Sequence, residues 1–178
     1  MVFHFCPSRE RTSGLSELGD LDAAGSHIAG GLGDYASVAG DGSVDWTGAK
    51  ANGALVTAVD LERAGSRIVA WKSLTSRASL KRGQGYTLLI GEKHVPIDQM
   101  GDAAVGDGSF YSGQHPASYA RVIGPGFPLA PALDAPFNNN FGSYHTGICQ
   151  FSMADGAVRS QTNERGVDVL AHLARRGD

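Results

Sequence analysis

The chain has 178 residues and a formal net charge of −3, which suits one domain with a sizeable core and disfavours a nucleic-acid partner, since phosphate binding needs clustered lysine and arginine. Charged residues make up 19% and apolar residues 42%, and no apolar run approaches the roughly 18 residues of a bilayer span. Glycine is the outlier at 25 residues, which points to tight turns and loops and few long helices.

In chain order, Phe3-His4-Phe5 is a short alternating run stopped by Pro7, the end of a strand entering a loop. No basic n-region or long apolar stretch precedes it, so this chain shows no targeting signal. Residues 13–33 are Gly/Ser/Asp-rich and read as loop with at most one helical turn. A strand is expected at 34–39, closed by the Gly40-Asp41-Gly42 turn signal, and another at 54–58. Arg67 to Leu74 fits strand or helix equally. Tyr86-Thr87-Leu88-Leu89-Ile90-Gly91-Glu92 is the best strand, β-branched and aromatic with glycine at Gly85 and Gly91.

Residues 98–118 read as a long irregular loop, and Pro116, Pro125, Pro128, Pro131 and Pro136 mark an excursion rather than an inter-domain linker. From Ile148 to Met153, Cys149, Phe151 and Met153 alternate with polar neighbours, which argues a half-buried strand. Asp155-Gly156 is a hairpin turn signal, so 147–153 and 157–161 are expected to pair antiparallel. Val167, Leu170, Ala171 and Ala174 follow i, i+3, i+4, i+7, which predicts a short amphipathic helix over 166–174. The basic pairs Lys81-Arg82 and Arg175-Arg176 read as solvated surface.

Nucleotide and metal motifs are weak. No G-x-x-x-x-G-K-[ST] run exists, and Gly31-Leu32-Gly33 lacks the flanking strand and helix of a dinucleotide site. His4, His27, His94, His115, His145 and His172 form no close pair. Cys149 lies four residues from His145, too far along a strand for a direct hydrogen bond and so a poor nucleophile–base pair. Asp98, Asp102 and Asp107 share one Gly-rich loop; their hard oxygens are the weak calcium candidates, against a plain solvated acidic loop. Cys6 and Cys149 have no zinc-finger spacing.

Phe141-Gly142-Ser143-Tyr144-His145, a strand, Asp155-Gly156-Ala157-Val158-Arg159 and a closing helix together resemble the bacterial prepilin-type family of unknown function named for its H-x9-DG motif. Cys6-Pro7-Ser8-Arg9 resembles that family's CPSRR segment and Tyr35 to Gly42 its Y-A-x-x-x-G-D-G segment. Thr87 to Ile90 with Gly91, Glu92 and Lys93 resembles its TLLVGEK strand. Gly106-Asp107 through Gly113, then Arg121, resembles its acidic middle loop. The family's DG-T-S-N ahead of that strand is altered here to Arg82-Gly83-Gln84-Gly85-Tyr86.

The resemblance implies one pilin-like head over 1–178, of α+β fold, with a dominant antiparallel sheet, long Gly/Pro loops and a short C-terminal helix. It implies a structural role in the cell envelope or outside the cell, no catalysis and no cofactor. Other pilin-like subunits or a pilus or type II secretion-like machine would be the partners, and the membrane would be met only through an N-terminal helix. Family members carry a prepilin leader, a GFTLVE-like cleavage site and that long apolar helix; the expectation here is a head without them, with an apolar strip of sheet uncovered on the faces of Tyr86 to Ile90 or of Cys149, Phe151 and Met153. The resemblance places the partner of Cys6 on that helix, so Cys6 and Cys149 are expected unpaired, and His145, Asp155 and Gly156 are expected to be structural, with His145 contacting backbone or a carboxylate of the domain and pinning its loop to the hairpin. An extracytoplasmic module binding a ligand or calcium, and a metal- or Cys-dependent hydrolase, are the competing readings.

Overall fold

The computed structural model describes residues 4–177. Seven strands and one helix follow in order: β1 (Tyr35–Gly40), β2 (Val59–Ala64), β3 (Arg67–Lys72), β4 (Leu88–Glu92), β5 (Ala120–Val122), β6 (Ile148–Met153), β7 (Val158–Thr162) and α1 (Val167–Ala174). The fold is α+β with sheet dominant. The main sheet runs β5-β1-β4-β6-β7, and β2 and β3 form a separate hairpin.

The sheet is mixed rather than purely antiparallel. β1 pairs antiparallel with β4, as do β4 with β6 and β6 with β7, but β5 lies parallel to β1. That edge went unseen in the sequence because three residues carry no period. The strand expected at 54–58 is also displaced: the segment before Val59 is irregular, and Ala54 packs in the interior. Arg67 to Lys72 resolves as strand, paired with β2 across a Gly65-Ser66 turn in which Gly65 has φ 63°. The helical turn allowed within 13–33 does not form; bridges Leu15 to Gly31 and Leu21 to His27 hold that loop. His4 and Phe5 lie in a turn, not a strand, and Phe3 falls outside the described residues.

The C-terminal hairpin follows its sequence pattern. Gly156 takes φ 88° at the tip, a conformation glycine adopts without a side-chain clash. The Asp155 carboxylate accepts the Ala157 N–H at 2.9 Å. Cys149, Phe151 and Met153 point to one side of the sheet with Leu88, Ala36 and Val38, and this side is filled. Leu170 and Ala174 of α1 cover it from one end, and Leu129 and Phe141, from the proline-rich excursion and its end, cover the rest. Phe141 meets Phe151 edge to face at 5.1 Å between ring centroids.

The other side of the sheet is open. Cross-strand register puts Tyr35, Ser37, Ile90, Ser152 and Val158 on it. Ile90 is 40% exposed and Val158 67%, whereas Leu88, Phe151 and Met153 are buried. The uncovered strip is therefore not the face of Phe151 and Met153. It is the reverse face, and it mixes apolar with hydroxyl side chains.

Arg175 and Arg176 are not free surface cations. Arg176 donates to the carbonyls of Ala51 (2.6 Å) and Gly53 (2.7 Å), and Arg175 Nε donates to Asp41 at 2.6 Å. Asp41 is fully buried and also accepts from Ser43 and Asn52. Burial raises its carboxyl, but these donors outweigh burial and hold it at about 2. The sign follows from linkage: a carboxyl whose folded value lies below its unfolded one stabilises the fold above the unfolded value and loses that contribution as pH falls toward the folded one. Stability should therefore drop between about pH 4 and pH 2. Urea midpoints measured across that window should fall less steeply in Asp41→Asn; an equal slope would remove Asp41 as a cause.

Candidate functional site

Four segments that resemble family landmarks meet at one end of the open sheet face. Glu92 closes β4 opposite Tyr35. Its Oε2 accepts the Gln150 N–H of β6 at 2.7 Å, which turns Oε1 toward the N-terminal segment. There the Cys6 thiol donates to Oε1 at 3.2 Å. His145 Nε2 lies 3.2 Å from the same oxygen and 3.5 Å from the Cys6 sulfur. On its far side, His145 Nδ1 sits 3.1 Å from the Ser8 hydroxyl. Pro7 occupies the exposed turn between these two residues.

His145 thus has its partners in the N-terminal segment and β4. It does not tie its loop to the hairpin tip: Asp155 and Gly156 lie at the opposite end of β6, because nine intervening residues span the whole strand. The neighbouring residue adds to the same joint, since the Arg9 guanidinium stacks 4.6 Å over the Tyr144 ring.

Beneath lies a buried charge network. Asp34 Oδ1 accepts from Arg9 (3.0 Å) and Arg11 (2.8 and 2.6 Å), and its Oδ2 accepts the Cys6 N–H at 2.8 Å. Arg9 also donates to the Lys93 carbonyl at 2.6 Å. Asp107 accepts both terminal nitrogens of Arg11, at 2.7 and 2.8 Å, the Gly101 N–H at 2.7 Å, and pairs with Lys93 at 3.1 Å. Burial lowers Lys93 to about 8, with Asp107 pulling the other way. For Asp107 itself the Arg11 and Lys93 charges outweigh burial and hold its carboxyl well below the usual carboxylate range. Arg121 is wholly buried, satisfied by the carbonyls of Ala117, Val105, Gly106 and Asn140.

This arrangement corrects the calcium candidates. Every oxygen of Asp107 is engaged by protein donors, so it has nothing left for a cation. Asp102 caps a single 3-10 turn through the Ala104 N–H, and Asp98 is exposed. Among the described residues, the group of His, Cys, Asp or Glu donors close enough to share an ion is Cys6, Glu92 and His145. Each of these belongs to a segment singled out in the sequence. What the sequence lacked was their contact, across separations of 86 and 139 residues.

The cysteines are two free, buried thiols. Burial pushes Cys6 up from its ordinary value, and the Glu92 carboxylate adds to that. Cys149 is raised further, again by burial first. A nucleophilic cysteine needs a depressed value, so neither thiol is set up as a thiolate in this state.

The fold and the site define an α+β domain in which a cysteine–histidine–carboxylate cluster and a buried ionic network fasten the N-terminal segment to the sheet. Residues 1–166 match the family described as "Protein of unknown function (DUF1559)", SBP_bac_10, and the chain belongs to that family. Comparison with curated proteins and with solved structures returned no match. Among the described residues no helix is long and apolar enough to cross a membrane.

Proposed function

We propose that this domain is the non-catalytic head of a pilin-like envelope subunit, assembled with copies of its kind by a pilus or type II secretion-like machine. The two-sidedness of the sheet carries the reading. One face is filled by α1 and the proline-rich excursion, while the reverse face is left open with Tyr35, Ile90 and Val158 on it. The chain joins the domain at Cys6, against Glu92, at one end of that open face. We read that open face as the seat of the long N-terminal helix that packs on the sheet in pilin-type subunits. The segments resembling the prepilin family then have a mechanical meaning: they weld that junction.

The test separates folding from assembly. Ile90 is 40% exposed in the isolated domain, so Ile90→Glu should lower its stability by about 1 kcal/mol and leave it folded. In the native host the same substitution, combined with Val158→Glu, should abolish a cross-linked ladder of this subunit in the envelope fraction. Wild-type protein found as a cytosolic monomer, or a doubly substituted protein that still forms the ladder, would overturn the reading.

A further inference from the structure

We propose that Cys6, Glu92 and His145 bind one zinc ion, with water completing the coordination, and that the ion staples the N-terminal segment to the sheet. Typical bond lengths at zinc are about 2.3 Å to thiolate sulfur and about 2.0 Å to imidazole nitrogen or carboxylate oxygen. At tetrahedral angles these place sulfur about 3.5 Å from nitrogen or oxygen, and nitrogen about 3.3 Å from oxygen. The observed separations are 3.5 Å for sulfur to nitrogen, 3.2 Å for sulfur to oxygen and 3.2 Å for nitrogen to oxygen. Only the sulfur–oxygen distance has to open, and it is the one now bridged by the thiol hydrogen.

A hydrogen-bonded cluster covers two sides of this triangle and leaves the third without a hydrogen. The thiol donates to Oε1 and an Nε2–H can donate to the same oxygen, so the sulfur–nitrogen contact is the one with no hydrogen of its own. The outer atoms are already committed in the way ligands are held: His145 Nδ1 to Ser8 and Glu92 Oε2 to the Gln150 N–H. The three inward atoms are left facing one point. Sulfur, nitrogen and one carboxylate oxygen suit a borderline-soft divalent ion and not calcium or magnesium. The thiolate and carboxylate balance the two positive charges, and the thiol proton leaves to solvent as the zinc–sulfur bond forms. His145 has a 28% exposed side chain, which gives the ion a path in and a water its place.

Because the three ligands come from widely separated segments, binding would close long loops and tighten the joint at which the chain reaches the sheet. The inference does not depend on the envelope role and is tested on purified protein. Metal-free protein titrated with cobalt(II) should take up one equivalent and develop a thiolate-to-cobalt charge-transfer band, which zinc then bleaches. Zinc should raise the melting temperature. Cys6→Ser and His145→Gln should lose the band, whereas Cys149→Ala should keep it. Ser8→Ala, at an exposed position, should keep the band and weaken binding about 10- to 100-fold. Cobalt uptake by wild-type protein without the charge-transfer band, or a band that survives Cys6→Ser, would overturn the assignment. The wild-type spectrum and melting shift decide the matter even if a ligand variant fails to fold.

Discussion

Replacing Asp107 with alanine will bring the domain to the edge of unfolding. The carboxylate is the shared acceptor for Arg11 and Lys93; it and Lys93 are completely buried, and Arg11 is largely so. Removing it leaves the Lys93 ammonium buried without a carboxylate partner and takes from Arg11 one of its two, Asp34 being the other. Breaking a buried pair in this way costs about 3–5 kcal/mol, against a total stability of about 5–15 kcal/mol for an ordinary domain. Urea denaturation should show the loss as a lower midpoint. Lys93→Met in the Asp107→Ala background should recover part of it, because the stranded charge is then gone. A loss below about 1 kcal/mol in the single variant would mean the site relaxes or admits water.

The second large effect concerns Gly91 and Phe151. A Cβ on Gly91 would sit 2.3 Å from the Phe151 ring and 2.9 Å from Phe141. The glycine in this strand is therefore a seat for an aromatic ring on the neighbouring strand and not a flexibility device. Phe151→Ala should cost about 3–5 kcal/mol by emptying the middle of the core. Gly91→Ala alone should cost about 1–3 kcal/mol by overpacking. In the Phe151→Ala background the closest clash is gone and only the 2.9 Å approach to Phe141 is left to relax, so the two costs should fall well short of adding. A double-mutant cycle read by chemical denaturation tests this. Additivity would place the Gly91 contact elsewhere.

Parts of this fold are plain in the sequence because one local period governs them. The alternation of Cys149, Phe151 and Met153 reports a single filled face, Asp155-Gly156 reports the turn, and the spacing of Val167, Leu170, Ala171 and Ala174 reports α1. The β2–β3 hairpin is less visible because most of its residues are exposed, so neither face imposes an alternation; the Gly65-Ser66 pair was the available signal. β5 is buried at all three positions and short, and only its pairing with β1, some eighty residues earlier, makes it a strand. Asp107 and Arg175 read as surface charges because their partners, Arg11 with Lys93 and Asp41, lie far off in sequence. The Cys6–Glu92–His145 cluster has the same character: three separate landmarks, with chemistry that exists only once the sheet has formed.

The position of β1 inside the sheet, with a strand on either side, bears on when the protein can fold. Its neighbours are β4 on one side and β5 on the other, and the core it shares is completed by Leu170 and Ala174. A ribosome would deliver β1 long before any of these. Nothing made early can close on itself except the exposed β2–β3 hairpin, and a lone hairpin has little stability of its own. Folding is thus dominated by distant pairings and should be slow, with apolar strands uncovered while the chain grows. The same topology that ties the finished sheet together keeps the growing chain open until α1 has emerged.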